Sequence, residues 1–335
     1  MTTATTTPAA EFYAAQSALP ASAFAFVSGG AGTESTVRAN FANWDAIRLG
    51  HRLPADVGQR SMFTTVLSTQ SAAPLAVAPM GGAGAVAPEA DLAIARACKK
   101  AGVPMVVSTM ASSSIEDIAA TGAELAFQLY PLRNKDVQAD LVRRAEESGC
   151  HALVVTIDTP LRHGSQREQA TGFTLPDPAH FHDVADAEID PTTTWGDIEV
   201  LAGTTRLPVW IKGVLSPTQA QRAVRAGAAG VIVSNHGGRQ SDAAPATASV
   251  LPTIAGTMND SGVLVDSGIT TGTDVLRALA LGADGVLIGR QILYGLAADG
   301  EQGVQAVLTR IISELDRALA CAGCATLAEA KTLRA

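Results

Sequence analysis

The chain has 335 residues, 47% of them hydrophobic and 17% charged, with a formal net charge of −8 at pH 7. This composition supplies a large core and excludes a disordered chain, while the acidic balance argues against a nucleic-acid partner, which would need a basic face. No apolar run reaches the length of a membrane span, and the opening MTTATTTPAAE lacks the basic-then-apolar order of a secretory signal, so a frayed tail and a cytoplasmic protein are expected.

Residues 1–73 read as this tail and a cap, in which LPASAFAFVSGGAG has the pattern of a short helix ending in glycines. From residue 74 onward, short apolar, β-branched runs alternate with longer stretches of helical periodicity. The runs are PLAVAPM (74–80), PMVVST (104–109), LAFQLY (125–130), ALVVTID (152–158), PVWIKGV (208–214), GVIVSNHG (230–237), GVLVDSG (262–268) and GVLIGR (285–290). They read as eight strands buried on both faces.

Helices are expected between them. Pro88–Gly102 opens on an acidic turn and stops at glycine. Asn134–Gly149 has a polar cap and a terminal glycine, Ser216-Pro217 opens a helix ending at Gly227, and Thr271–Gly282 repeats the pattern. A helix–glycine–strand turn recurs as AGVPMVV, SGCHALVV, AGAAGVIV and LGADGVLI. Eight βα units point to an α/β fold of the TIM-barrel type, (β/α)8, spanning 74–335. The N-terminal helical cap is expected at the mouth or the floor of this barrel. The glycines of PMGGAGAVAPE do not fall at GxGxxG spacing, and Pro88 interrupts the helix that a dinucleotide fold would need. One connection is long: 170–197, with PDPAHFHDVADAEIDPTTT, leaves the fourth strand at the catalytic end and is placed to act as a lid.

Cys98, Cys150, Cys321 and Cys324 are too few for a disulfide scaffold. The CxxC at Cys321–Cys324 has no second pair and no βαβ context, and it reads as a helix end at Gly323; no metal is expected.

The C-terminal tips of the strands are polar: Ser108, Gln128 and Tyr130, Thr156 and Asp158, Lys212, Asn235 and His236 with Arg239 just beyond, Asp266, and Gly289-Arg290. Packing alone does not gather costly polar groups at one end, the end where barrels carry their chemistry. Blander readings exist. Lys212 could snorkel, but WIKGV embeds it among apolar neighbours. Asp158 could form the turn before Thr159-Pro160, Tyr130 could be a rim residue, and Asp266 could cap Ser267-Gly268. His236 beside two glycines is a poor core histidine and a good neighbour for a ligand.

SNHGGRQ (234–240), FQLY, TIDTP, IKGV, VDSG and GTDVLRALALGADGVLIGR, in this order, closely resemble the motifs of the FMN-dependent α-hydroxy-acid oxidases and dehydrogenases. The resemblance runs from about Leu19 to the C-terminus, and FVSGGAGTE is similar to the hydroxymandelate-oxidising branch. It implies FMN as cofactor, a small 2-hydroxy acid as substrate, oxygen or another electron acceptor, and a homotetramer. It assigns His236 as base, Asp158 as partner of the imidazolium, Arg239 as the fork for the carboxylate and Tyr130 as a donor to the substrate oxygen. Lys212 would lie near flavin N1 and O2, Ala78, Pro79 and Met80 under N5, and Ser108, Gln128, Thr156 and Ser234 along the ring. The phosphate would rest on Asp266, Ser267 and Gly268 and on Gly289 and Arg290. Phe26, Met110 and Arg167 would complete the substrate pocket.

The chain departs from the family pattern in places. Phe26 replaces a tyrosine, Met110 an aromatic residue, and Thr270-Thr271 a pair of arginines. TPLRHGSQRE is two residues longer than the usual turn, with Arg167 in a family arginine's place and with Arg162 and His163 as extra groups that either read the substrate or face solvent. The first two changes favour a bulky or aromatic, mandelate-like R-group over glycolate. An FMN barrel of other chemistry (an isomerase, a phosphate-ester enzyme or a decarboxylating monooxygenase) and an inactive flavin-binding relative are the alternatives. His236 together with Arg239 argues against the first, and the intact set Tyr130, Asp158, Lys212, His236 and Arg239 argues against the second, which Phe26 and Thr270 keep open.

Overall fold

Eight parallel strands close on themselves in the order β10-β3-β4-β5-β6-β7-β8-β9. The computed structural model describes residues 7–161, 164–181 and 188–333. Its barrel strands are β3 (Leu75–Val77), β4 (Met105–Ser108), β5 (Leu125–Leu129), β6 (Leu153–Thr156), β7 (Val209–Val214), β8 (Gly230–Val233), β9 (Gly262–Val265) and β10 (Gly285–Ile288), preceded by a hairpin of β1 (Thr64–Val66) and β2 (Thr69–Ser71). Each barrel strand coincides with one of the apolar runs read from the sequence.

Alternate side chains face opposite sides of a strand, and two apolar clusters follow from this. Ala76, Val106, Ala126, Val154, Trp210, Ile232, Leu264 and Leu287 build one cluster with Val66 and Leu67 of the hairpin. The intervening positions, such as Val107, Phe127, Val155 and Ile211, join the large cluster shared with the helices. The hairpin therefore plugs the end of the barrel where the strands begin. Trp210 fills the same end: a Cβ on Gly230 or Gly262 would lie 2.5 or 2.3 Å from its ring.

Three helices precede the hairpin, α1 (Pro8–Ala18), α2 (Ala21–Ser28) and α3 (Ser35–Ala46). The outer helices are α4 (Ala90–Ala101), α5 (Ile115–Ala120), α6 (Lys135–Glu147), α7 (Gln166–Thr171), α8 (Trp195–Thr204), α9 (Pro217–Arg225), α10 (Thr247–Ala255), α11 (Gly272–Ala280), α12 (Arg290–Ala322) and α13 (Leu327–Ala330). The punctuation read from the sequence sets their ends. Asn134 accepts from the first amides of α6, Ser216 caps α9, Thr271 caps α11 with Asp274 in reciprocal contact, and Gly102 ends α4 at φ 67°.

The N-terminal region divides between the two ends of the barrel, whereas its sequence pattern announced one short helix. The hairpin closes the floor, and α2 and α3 lie at the mouth. There Ala31 N donates to Gly238 O and Trp44 Nε1 to Ser267 O, each at 2.9 Å. A buried ion pair, Glu11–Arg310 at 2.8 Å, ties α1 to α12. Among the described residues no helix is long and apolar enough to cross a membrane.

Candidate active site

After β8 the chain turns through three successive left-handed residues, His236, Gly237 and Gly238, at φ 57°, 64° and 74°. Glycine takes this conformation freely, but at His236 it costs on the order of 1 kcal/mol or more. A set of hydrogen bonds holds the turn. His236 N donates to Ser234 Oγ (3.0 Å), Gly237 N to Ser267 Oγ (2.9 Å) and Gly238 N to Asn235 Oδ1 (3.1 Å). Asn235 is braced in turn by a reciprocal amide pair with Asn40 of α3, at 2.9 and 2.7 Å.

The turn aims the imidazole at β6. His236 Nδ1 lies 2.9 Å from Asp158 Oδ1, and Thr159 Oγ1 is 3.3 Å from the same nitrogen. A carboxylate there assigns the hydrogen to Nδ1 and leaves Nε2 as an acceptor. The glycine of IKGV makes this contact possible. Gly213 has φ 104°, and a Cβ there would lie 2.7 Å from the Asp158 Cβ. Burial works to raise the Asp158 carboxyl, but the charges of His236 and Lys212 and the hydrogen bonds from His236 and Thr159 hold it below its usual value.

Lys212, one residue earlier in the same strand, is 3% exposed. Its Nζ donates to Ser234 Oγ at 2.9 Å and pairs with Asp266 Oδ2 at 3.2 Å. Burial opposes its charge, yet the carboxylates of Asp266 and Asp158 outweigh that and raise its pKa. Ser234 Oγ therefore accepts from both Lys212 and the backbone of His236, which locks the cation to the catalytic turn.

Two cavities meet at this point. One, of 590 Å³, is lined by Ala78, Pro79, Met80, Lys212, Ser267, Gly268, Gly289 and Arg290 among others. The second, of 610 Å³, is lined by Met110, Tyr130, Phe173, Leu175 and Glu168 among others. Phe26, Gly81, His236 and Arg239 line both. At the barrel end beside them, Ser108 Oγ and Thr109 N donate to Gln128 Oε1, each at 3.2 Å. Gln128 Nε2 and Thr156 Oγ1 are buried without a hydrogen-bond partner.

The cations divide less simply. Arg239 Nη1 donates to Phe26 O (2.5 Å) and Gly29 O (3.3 Å), Nη2 lies 3.3 Å from Glu168 Oε1, and the guanidinium sits 4.8 Å from the Phe26 ring centre. Arg167 lines the first cavity and not the second; it is bound at two points by Glu34, at 2.7 and 2.6 Å, and reaches Ser28 Oγ at 3.2 Å. The Arg167 hydrogen bond holds the Glu34 carboxyl below its usual value. Arg290 donates to Val27 O (3.3 Å) and Gly29 O (2.9 Å), and burial, with the charge of Arg239, brings its pKa down to about 10. Thr270 and Thr271 cap α11 through Asp274, and Arg310 Nη1 donates to Thr270 O at 3.1 Å. Arg162 and His163 lie outside the described residues, as do 182–187 of the long connection.

Three residues near the site were not among the candidates read from the sequence, although Thr159 lies within TIDTP. Thr159 contacts the imidazole. Phe173 stacks on Phe26 with centroids 4.5 Å apart and planes at 12°. Glu168 meets Arg239. Glu168 had a local signal of its own, the Ser165-x-x-Glu168 capping box that opens α7.

Comparison with known proteins agrees with this geometry. The model of the FMN-dependent dehydrogenase family matches residues 15–334. The chain is 40% identical over 340 residues to a 4-hydroxymandelate oxidase of Amycolatopsis orientalis, covering 96% of this chain and 95% of the relative. It is also 40% identical over 334 residues to a peroxisomal (S)-2-hydroxy-acid oxidase of Oryza sativa subsp. japonica, covering 94% and 91%. The crystal structure of a mandelate oxidase superposes with a TM-score of 0.94 at 40% identity, covering 98% of this chain and 97% of that one. The barrel, the histidine–aspartate pair at its mouth and a match that spans nearly the whole chain lead to one conclusion: the chain belongs to the FMN-dependent dehydrogenase family.

Proposed function

We propose that this protein oxidises a 2-hydroxy acid carrying a bulky or aromatic R-group to the 2-oxo acid. The observation that carries this reading is the 2.9 Å contact of His236 Nδ1 with Asp158, at the junction of two cavities that also share Arg239.

The residues present fit FMN. The unpartnered Gln128 Nε2 and Thr156 Oγ1 are buried groups that need a polar complement, and a flavin ring edge supplies one. Lys212 is a buried cation at the wall of the first cavity, beside Ala78, Pro79 and Met80, and these residues with Ser108 and Ser234 would hold the ring. Asp266, Ser267, Gly268, Gly289 and Arg290 would hold the ribityl phosphate. When bound, FMN supplies a hydride acceptor.

The side chains of this protein do the rest. Arg239 receives the substrate carboxylate. His236 Nε2 takes the hydroxyl proton, and Asp158 stabilises the imidazolium that results. Tyr130, on the second cavity, donates to the substrate oxygen. Lys212 stabilises negative charge that develops beside it. Phe26 brings no hydroxyl to share the carboxylate, which forgoes a hydrogen bond worth about 1 kcal/mol. The Phe26–Phe173 stack, with Met110 and Leu175, offers apolar surface instead. At about 25 cal/mol per Å² an aromatic R-group more than offsets that loss, whereas the hydrogen of glycolate cannot.

Several relatives are named oxidases, which supports oxygen as the final acceptor. All four cysteines are free thiols, in keeping with a cytoplasmic setting, and a homotetramer is part of the same proposal. The 170–197 connection is taken as a lid: Phe173 and Leu175 line the second cavity, and Ala179 N donates to Ala111 O at 2.9 Å.

The test is anaerobic mixing of the flavin-bound protein with a panel of 2-hydroxy acids. Mandelate-like acids should bleach the flavin far more efficiently than glycolate or lactate. Bleaching by none would defeat the function, and a preference for glycolate would defeat the pocket reading alone.

A further inference from the structure

Glu168 stands at the anion-binding end of the pocket. Its side chain is 12% exposed, it lines the second cavity, and its Oε1 lies 3.3 Å from Arg239 Nη2. The fold does not require a charge at this position. In the capping box Glu168 serves only as an acceptor from Ser165 N (3.2 Å), while Ser165 Oγ accepts from Glu168 N (3.2 Å). A glutamine would make both contacts. The carboxylate is thus an addition beyond what α7 needs, and it faces the cation that would bind the substrate.

The second arginine of the mouth does not relieve this arrangement, because Arg167 is held at two points by Glu34. Lys212 is likewise matched by Asp266. A carboxylate arriving at Arg239 therefore meets a guanidinium that Glu168 already engages, while Arg290, which donates to the backbone carbonyls of Val27 and Gly29, is the arginine proposed for the cofactor phosphate. The carboxylate must compete with Glu168 for Nη2 or sit beside a like charge, and a like charge within a few ångströms disfavours the ionised ligand. A neutral carbonyl group, such as an amide or ester, accepts from the same guanidinium without that repulsion.

We propose that Glu168 is the counter-ion of Arg239 and a specificity-determining residue, which lowers the pocket's preference for a carboxylate over a neutral 2-hydroxy carbonyl compound. This rests on the reading that Arg239 receives the substrate's acid group. It makes the pocket broader in head group than a free arginine would allow.

The experiment uses the flavin-bound protein and two unreactive probes, phenylglyoxylate and its neutral primary amide. Dissociation constants come from the perturbation of the flavin absorbance. In the unsubstituted protein the acid and the amide should bind within about tenfold of each other. Glu168→Gln should tighten the acid by at least about tenfold and leave the amide within about twofold. An acid bound more than about a hundredfold tighter than the amide in the unsubstituted protein would overturn the inference without any variant. So would an acid affinity that is unchanged or weaker in Glu168→Gln, or an equal tightening of both probes, which a merely structural effect would give. If neither probe perturbs the flavin in either protein, the reading of Arg239 falls and takes this inference with it.

Discussion

At the floor of the barrel, Trp210 lies against Gly230 and Gly262 while Val66 and Leu67 close from below. Two residues further along the same β7 strand, Lys212 is as deeply buried as the tryptophan but sits between a serine hydroxyl and a carboxylate. The floor is an apolar cluster in which Trp210 Nε1 is the buried polar atom left without a partner among the described residues. The mouth buries charge, bends Glu34, His236 and Ser267 to positive φ, and leaves Gln128 Nε2, Thr156 Oγ1 and Asp158 Oδ2 unpartnered. Buried charge and hydrogen-bonding side chains gathered at one end, against an apolar cluster at the other, mark which end does chemistry.

This contrast predicts that damage at the mouth removes activity while sparing the fold, and that damage at the floor does the reverse. The largest effect is expected from His236→Ala. Anaerobic flavin reduction should slow by about a hundredfold or more, as loss of a general base implies, while the thermal midpoint stays close to that of the parent. A near-parental reduction rate would remove His236 from the chemistry. Asp158→Asn tests the imidazole's partner. It keeps the shape but not the charge, and reduction should slow by at least about tenfold.

At the floor, Gly262→Ala places a methyl 2.3 Å from the Trp210 ring, so the tryptophan or a strand must move. Denaturant unfolding should show a loss of about 1–3 kcal/mol, with turnover per folded molecule unchanged. Equal loss of turnover would show that the two ends are coupled.

A subtler test lies between the ends, at His180 of the long connection. It is 4% exposed and stands edge-on to Phe127 at 5.7 Å. Burial holds its pKa down to about 4, with the charge of Arg144 adding to the effect. The unfolded imidazole takes its proton near 6.5, so between about 6.5 and 4 the unfolded chain binds more protons than the folded one. The His180 contribution is complete above that window and is lost as the pH falls through it. His180→Leu should therefore flatten the acid side of the stability–pH curve. An unchanged acid limb would show that His180 is not held neutral.

Much of this was legible in advance. The eight strands announced themselves as apolar β-branched runs, and the helix ends as caps and glycines, because both signals are local. The polar tips were legible too, since a lysine inside WIKGV or a histidine inside SNHGGRQ contradicts its surroundings. The pairings were not. That Arg167 turns to Glu34, that Arg239 faces Glu168, and that Phe173 stacks on Phe26 depend on contacts 71 or more residues apart in the chain. The hairpin at the floor escaped for a related reason. Its strands are three residues each and turn through Leu67 and Ser68, at φ 49° and 66°, without the glycine or asparagine that usually marks such a turn.

The smallest effect is expected from Phe26→Tyr, which restores a hydroxyl beside Arg239. It should raise the efficiency of flavin reduction by glycolate and lactate by a few fold, roughly one hydrogen bond's worth, and that by mandelate less. An equal gain for all acids would mean that the hydroxyl does not compensate for a small R-group.

The most direct measurement is a crystal structure of the flavin-bound protein with phenylglyoxylate, the 2-oxo acid product of mandelate. The carboxylate is expected against Arg239, the keto oxygen within about 3 Å of His236 Nε2, and the ring against Phe26 and Phe173. A ligand seated in the mouth with its carboxylate away from Arg239, or with its keto oxygen out of reach of His236, would contradict the proposed mechanism.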